Sequence, residues 1–222
     1  MGEVTEKTLM KKGAEASLYL ATWHGKQVVI KTRLPKTYRP AQLDLAIRRF
    51  RTVHEPQLMH EAKRAAVPTP TIFMVDVENA AIIMEYIEGA QAKQFLNSGI
   101  SKAKRQNFCV KIGELIGQLH THGIVHGDLT TSNMILTGKD TVFLVDFGLG
   151  DKTMEVEAKG VDLHLLKRAL QSTHYLFADE CFAAAMQGYT AVLGEKASEK
   201  VLEKIKEIER RGRYVAERKQ ET

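Results

Sequence analysis

Short alternating, β-branched runs fill the first third of the chain. Ser17–Trp23 and Gln27–Thr32 read as two strands around the turn His24-Gly25-Lys26, and Thr71–Val77 and Ala80–Tyr86 as a second pair around Glu78-Asn79. Between the pairs, Leu34–Pro40 is a basic loop with two prolines, and Ala41–Ala66 has helical spacing. From Ser101 the period changes. Phe108, Ile112, Leu115, Ile116 and Leu119 recur at three and four, which predicts a long amphipathic helix ended by Gly123. Two short strands follow, Asn133–Leu136 and Val142–Val145, around Gly138-Lys139-Asp140. The remainder reads as helices over Lys159–His174, Asp179–Leu193 and Glu195–Arg211. A strand-rich part, a crossing segment near Glu85–Gly89 and a helix-rich part predict an α+β chain of two lobes: 1–86, 87–209 and a basic tail over 210–222.

Composition narrows the class. The 222 residues are 44% hydrophobic and 27% charged, enough for a real core and unlike a disordered, collagenous or coiled-coil chain. The longest apolar runs, such as Ala80–Met84 and Cys181–Met186, are far too short to span a bilayer. The start carries charge where a signal peptide needs an apolar run, so a cytoplasmic protein is expected. Cys109 and Cys181 stand without a CxxC and among apolar neighbours, which indicates buried thiols rather than a zinc site or a disulfide framework. The net charge of +5 is uneven: residues 31–64 hold nine basic and three acidic side chains. Such a segment either meets a polyanion or solubilises a helix.

The chemistry is concentrated between the long helix and the last helices. Asp128 and Asn133 stand five apart in a loop after a helix, and Asp146 ends a strand ahead of Phe147-Gly148. Phosphoryl transfer from ATP needs oxygen ligands for Mg²⁺ and a carboxylate beside the attacking group, and Asp-x4-Asn plus Asp-Phe-Gly supplies both. Asp128 is the candidate that orients or deprotonates the acceptor; Asn133 and Asp146 are the candidate metal ligands. Upstream, Val28-Val-Ile-Lys31 matches the V-A-I-K pattern whose lysine engages the α/β-phosphates.

That lysine needs a carboxylate partner on a helix, and Glu55 and Glu61 compete. Glu55 lies near the centre of the stripe formed by Leu58, Met59, Ala62, Ala65 and Ala66, whereas Glu61 falls roughly 100° off it. Thr52-x-x-Glu55 also reads as a capping box, which would put Pro56 in a first turn. Gly13, Ala14, Glu15 and Ala16 are the candidate phosphate-covering loop, with one glycine where G-x-G-x-x-G has three. Met84, Glu85 and Ile87 at the lobe crossing are candidates for the adenine side, with Ile30 as a further pocket wall.

In this order the pieces resemble a miniature protein kinase, and more closely one family. Gly13-Ala-Glu-Ala, Ile30-Lys-Thr-Arg, Arg51-Thr-x-x-Glu55, Val67-Pro-Thr-Pro, His126-Gly-Asp-Leu-Thr-Thr-Ser-Asn133, Asp146-Phe-Gly-Leu and Lys159-x-x-Asp162-Leu are similar to the small atypical kinase/ATPase subunits of the KEOPS complex, the bud-site-selection kinase family akin to RIO kinases. The resemblance implies a two-lobed protein-kinase-like fold with a small strand-rich N-lobe and a reduced helical C-lobe. It implies Mg-ATP binding, and serine/threonine kinase or ATPase activity in support of threonylcarbamoyladenosine formation on tRNA. It further implies contact with a threonylcarbamoyltransferase subunit through the C-lobe and with a small accessory subunit through the N-lobe. Within it, Lys31, Glu55, Asp128, Asn133 and Asp146 match the site, and Glu55 is favoured over Glu61. Two departures from general kinases stand out. Gly127 replaces the arginine that clamps an activation-loop phosphate, and Leu149–Val161 has no Ala-Pro-Glu and little room for an activation segment. Asp162 reads either as an internal anchor for the catalytic loop or as an exposed helix-start residue. Aminoglycoside- and choline-type phosphotransferases share His-Gly-Asp, and a non-catalytic ATP-gated scaffold is the third reading.

Overall fold

The computed structural model describes residues 4–218, with side chains as far as Arg211. Strands β1 (Val4–Lys12), β2 (Ser17–Trp23) and β3 (Lys26–Thr32) form a meander. Helix α1 (Ala41–Arg64) then crosses to β4 (Ile72–Asp76) and β5 (Ala81–Glu85), completing an antiparallel sheet in the order β1-β2-β3-β5-β4. β1 has no apolar face and is exposed almost throughout, so the hydrophobic pattern did not mark it.

Alternation along β3 sorts its side chains between two environments. Val28 and Ile30 point to the outer face, where they form a small core with Ala21 and Ile83, bordered by Tyr19, Trp23 and Met74. Val29 and Lys31 point the other way, towards α1 and the cleft. A second, much larger core runs without a break from Leu58, Met59 and Ala62 of α1 through Ile82 and Met84 of β5 into the helices that follow.

After β6 (Ala90–Gln91) and α2 (Ala92–Leu96), α3 (Lys102–Thr121) starts where Ser101 Oγ accepts the Lys104 N–H at 3.3 Å. β7 (Ile124–Val125), β8 (Met134–Leu136), β9 (Val142–Leu144) and β10 (Asp151–Lys152) carry the two loops of interest, in small sheets ordered β6-β8-β9 and β10-β7. α4 (Val156–Thr173), α5 (Ala178–Leu193) and α6 (Glu195–Arg218) complete the helical part. The fold is α+β, a strand-rich N-terminal sheet followed by a helical C-terminal part. Only Leu149–Glu155 separates the Asp-Phe-Gly turn from α4. Among the described residues no helix is long and apolar enough to cross a membrane.

Two expectations change. The tail expected from residue 210 is helix as far as Arg218, because one interior glycine, Gly212, costs only about 1 kcal/mol. Its side chains beyond Arg211, and residues 219–222 altogether, lie outside the described residues. The positive segment 31–64 is also less free than its charge suggests: Lys31, Arg33, Arg39, Arg48, Arg51 and Arg64 all stand in ion pairs within the chain.

Candidate active site

Glu55 sits mid-way along α1 on its buried face, with 1% of its surface exposed. Lys31 Nζ lies 2.8 Å from its Oε1, and Arg33 pairs with its Oε2. Two cations on one buried carboxylate leave no uncompensated negative charge there. Arg33 also reaches the Thr52 hydroxyl at 3.4 Å, and that hydroxyl donates to the Arg48 carbonyl at 2.7 Å, one turn back. Thr52 therefore lies inside the helix and caps nothing, which corrects the capping-box alternative. α1 starts eleven positions earlier, at Ala41, so Pro56 occupies its interior and withholds one backbone N–H from the ladder. Glu61 lies nearer the surface with Lys152 at 3.5 Å and Arg64 at 3.3 Å; Lys152 is the main reason its carboxyl stays below the usual range.

Lys31 Nζ also lies 2.5 Å from Asp146 Oδ1. Burial against the cleft walls would raise the Asp146 pKa, but the Lys31 ammonium and its hydrogen bond outweigh that and hold it below the usual carboxylate range. Asp146 adopts φ of +66°, a left-handed conformation that is strained for a side chain with a Cβ.

The loop carrying Asp128 is pinned from beneath. Asp162, buried on α4, accepts the His126 N–H at 2.7 Å and the Gly127 N–H at 2.8 Å. Its Oδ2 also faces His120 Nε2 at 3.2 Å, while His120 Nδ1 meets the Tyr189 hydroxyl at 2.9 Å. Of the two readings of Asp162, the structure selects the internal anchor. Burial pushes this carboxyl up, and the His120 and backbone hydrogen bonds bring it below the ordinary range. Burial, then the Asp162 charge, raises the Tyr189 phenol. His126 Nε2 donates to the Val145 carbonyl at 3.1 Å, which leaves Nδ1 to accept the Asp128 N–H at 3.3 Å. One imidazole thus ties the Asp128 loop to the strand end before Asp146. Gly127, at φ of +77°, passes so close to Leu149 that a Cβ there would lie 2.0 Å from the Leu149 carbonyl oxygen.

Asn133 Nδ2 donates to the Asp128 carbonyl at 3.0 Å and to Asp128 Oδ2 at 2.7 Å. Both amide hydrogens are thereby used, and the amide oxygen remains as an acceptor. Asn133 and Asp146 line the same cleft and offer neutral and charged oxygen donors, the set that suits a hard divalent cation. Among the described residues no group of three or more His, Cys, Asp and Glu could hold a metal by itself. The donors fit a cation shared with phosphate oxygens.

The cleft opens between the sheet and the helical part. Its inner end is a cavity of about 590 Å³ lined by Leu18, Val29, Met84, Glu85, Tyr86 and Ile87. Its outer end is lined by Gly13, Ala14, Glu15, Ala16, Asp128 and Asn133, and Lys31 and Asp146 border both. Ile30 is a correction: it lies in the outer small core, because neighbours on a strand face opposite ways and Lys31 takes the cleft side. Val29 provides the wall instead. Lys11, Arg33 and Arg51 also border the outer end and were not anticipated. The available signal for Arg51 was its position one helical turn before Glu55.

Comparison with known proteins agrees with this arrangement. The protein kinase domain matches residues 5–193. Such a domain uses ATP and a divalent metal. The KEOPS complex subunit Bud32 of Pyrococcus abyssi is 45% identical over 212 residues, covering 93% of this chain and 96% of that protein. Probable bifunctional tRNA threonylcarbamoyladenosine biosynthesis proteins of Methanothermobacter thermautotrophicus and Methanobrevibacter smithii are 43% and 44% identical over 206 residues. In each case 93% of this chain matches 36% of the relative, so the chain spans about a third of those longer proteins. The chain therefore belongs to the protein kinase domain family and, within it, to the family of the KEOPS complex subunit Bud32.

Proposed function

We propose that this chain is the ATP-dependent kinase/ATPase subunit of a cytoplasmic KEOPS complex and supports threonylcarbamoyladenosine modification of tRNA. The observation that carries the catalytic reading is the convergence on Lys31, whose ammonium meets Glu55 from α1 and Asp146 from the metal loop. Bound Mg²⁺-ATP supplies the transferable phosphoryl group and the positive charge that stabilises its transfer. Asn133 and Asp146 would hold the metal through oxygen. Lys31, steadied by Glu55, grips the phosphates. Asp128 keeps one oxygen on Asn133 and turns the other to the acceptor, whose proton it orients or takes. Gly13–Ala16 covers the phosphates, and Met84, Glu85 and Ile87 bound the adenine side. Residues 1–86 and 87–209 would hold the nucleotide between them.

Assembly follows from the relatives. One carries the name of a KEOPS subunit, and others embed a segment like this chain in a longer protein named for tRNA threonylcarbamoyladenosine biosynthesis. A threonylcarbamoyltransferase subunit on the helical part, a small accessory subunit on the sheet and tRNA are the partners proposed. The Leu149–Glu155 link is too short to build a docking platform for a substrate peptide, which favours water or a partner hydroxyl as acceptor.

The test is turnover of labelled ATP by the purified chain. Asp128→Ala and Asp146→Ala are expected to abolish it, and unchanged turnover in either would remove the assignment. Reconstituted tRNA modification with wild-type and Asp128→Ala protein then asks whether that ATP is spent on the modification.

A further inference from the structure

The phosphate-covering loop is tied down by its own hydrogen bonds, and one backbone donor, the Gly13 N–H, is spent within it. Gly13 gives its N–H to the Ala16 carbonyl at 2.9 Å, and the Ala14 carbonyl is taken by Lys36. The loop is also tied to cations outside it. Glu15 Oε2 lies 2.9 Å from Arg51 Nη1, and Glu15 Oε1 lies 3.3 Å from Arg39 Nη2. Arg51 stands on α1 four residues before Glu55, so it shares the cleft-facing side of that helix. It borders the outer end of the cleft together with Lys31, Asp128, Asn133 and Asp146. Arg33 borders it too, but its guanidinium is committed to buried Glu55. Arg51, about a quarter exposed, has only Glu15 among the described residues.

We propose that Arg51 is a further nucleotide-binding residue that grips the terminal phosphate of ATP, and that Glu15 is the carboxylate it exchanges for that phosphate. The inference rests on the ATP reading of the cleft. An ion pair at the cleft mouth is weak because water screens it, whereas a guanidinium on a phosphate makes two parallel charge-assisted bonds. The exchange leaves no charge stranded. Glu15 keeps Arg39, and Arg39 lies 3.7 Å from Asp44, which Arg48 also holds at 2.7 Å. A cationic side chain thereby takes over work that backbone N–H groups do in a three-glycine loop. Since Arg51 reaches only the outer end of the cleft, it distinguishes a triphosphate from a diphosphate.

Calorimetric titration of the full chain, with Mg²⁺ and either a non-hydrolysable ATP analogue or ADP, tests this. Arg51→Ala is expected to weaken the ATP analogue about tenfold and ADP less than about twofold. Arg51→Lys is expected to recover only part of the loss, because an ammonium cannot make the paired contact. Glu15→Ala, which frees Arg51, is expected to tighten the ATP analogue about two- to threefold. Equal weakening of both nucleotides in Arg51→Ala, or no weakening, would overturn the proposal. So would a Glu15→Ala protein that loses ATP affinity as Arg51→Ala does, since the pair would then only latch the loop. Should Arg51→Ala fail to fold by its melting curve, the ATP-to-ADP ratio of Arg51→Lys decides alone. A wild-type chain that binds neither nucleotide removes the ATP reading itself, whereas normal binding with an unaltered Arg51→Ala ratio removes only this assignment.

Discussion

On the helical side of the cleft, Asp128 owes its position to backbone hydrogen bonds gathered by one buried carboxylate, Asp162, above a large continuous core. On the strand side, Lys31 owes its position to charges: Glu55, which Arg33 also pairs with, and Asp146 hold its ammonium, and the core of the sheet's outer face amounts to Ala21, Val28, Ile30 and Ile83. The two sides differ in what holds them still. Backbone bonds to a buried anchor fix a loop regardless of nucleotide, whereas an ion-pair network can trade partners when phosphates arrive. The helical side is therefore a platform and the strand side an adjustable grip.

Removing the anchor should do the most damage. Asp162→Ala leaves the His126 and Gly127 amides without acceptors and is expected to cost about 3–5 kcal/mol of unfolding free energy, read by urea titration, with turnover falling in parallel. Gly127→Ala follows. A Cβ at φ of +77° against the Leu149 carbonyl is expected to cost about 2–4 kcal/mol by the same titration. Lys31→Met separates the two sides most sharply. Its stability loss should stay near 1–2 kcal/mol, because Glu55 keeps Arg33, while ATP turnover should fall at least about a hundredfold. A Lys31→Met protein as destabilised as Asp162→Ala would break the contrast.

Acid separates them less strongly. Asp162 has a folded-state pKa below its unfolded value of about 4, so the stability it contributes is present above pH 4 and is lost as pH falls through the folded value. Melting temperature against pH should therefore drop below pH 4 in the wild type and be flatter there in Asp162→Asn. The smallest effect belongs to the sheet's outer core. Ile30→Val should cost about 1 kcal/mol and leave ATP affinity within about twofold, since the side chain lies away from the cleft.

Much of this site is legible in the amino-acid order alone. The helical period placed Glu55 on the buried side of α1, and the order Lys31, Glu55, Asp128, Asn133, Asp146 brought five polar residues to one cleft. What escaped was of two kinds. Ile30 was assigned to the cleft beside Lys31, although strict alternation on β3 already pointed to Val29. β1, the partners of Arg51 and the choice between the two readings of Asp162 depend on contacts between segments far apart in the chain, and no local pattern encodes them. Net charge also leaves out where each cation finds its partner. Much of the basic excess of residues 31–64 is paired within the chain, on Asp44, Glu55 and Asp146 and, at the exposed cleft mouth, on Glu15.

The contact between Gly127 and Leu149 has an evolutionary consequence. An arginine at position 127 would be the first step towards control by a phosphorylated loop, yet the Leu149 carbonyl fills the space where its Cβ would go. The receiving loop would have to lengthen and withdraw before the arginine could be tolerated, and it gains nothing by doing so until the arginine is present. Each change is disfavoured without the other, so the Gly127–Leu149 contact stands against acquiring an arginine clamp at this position by single substitutions.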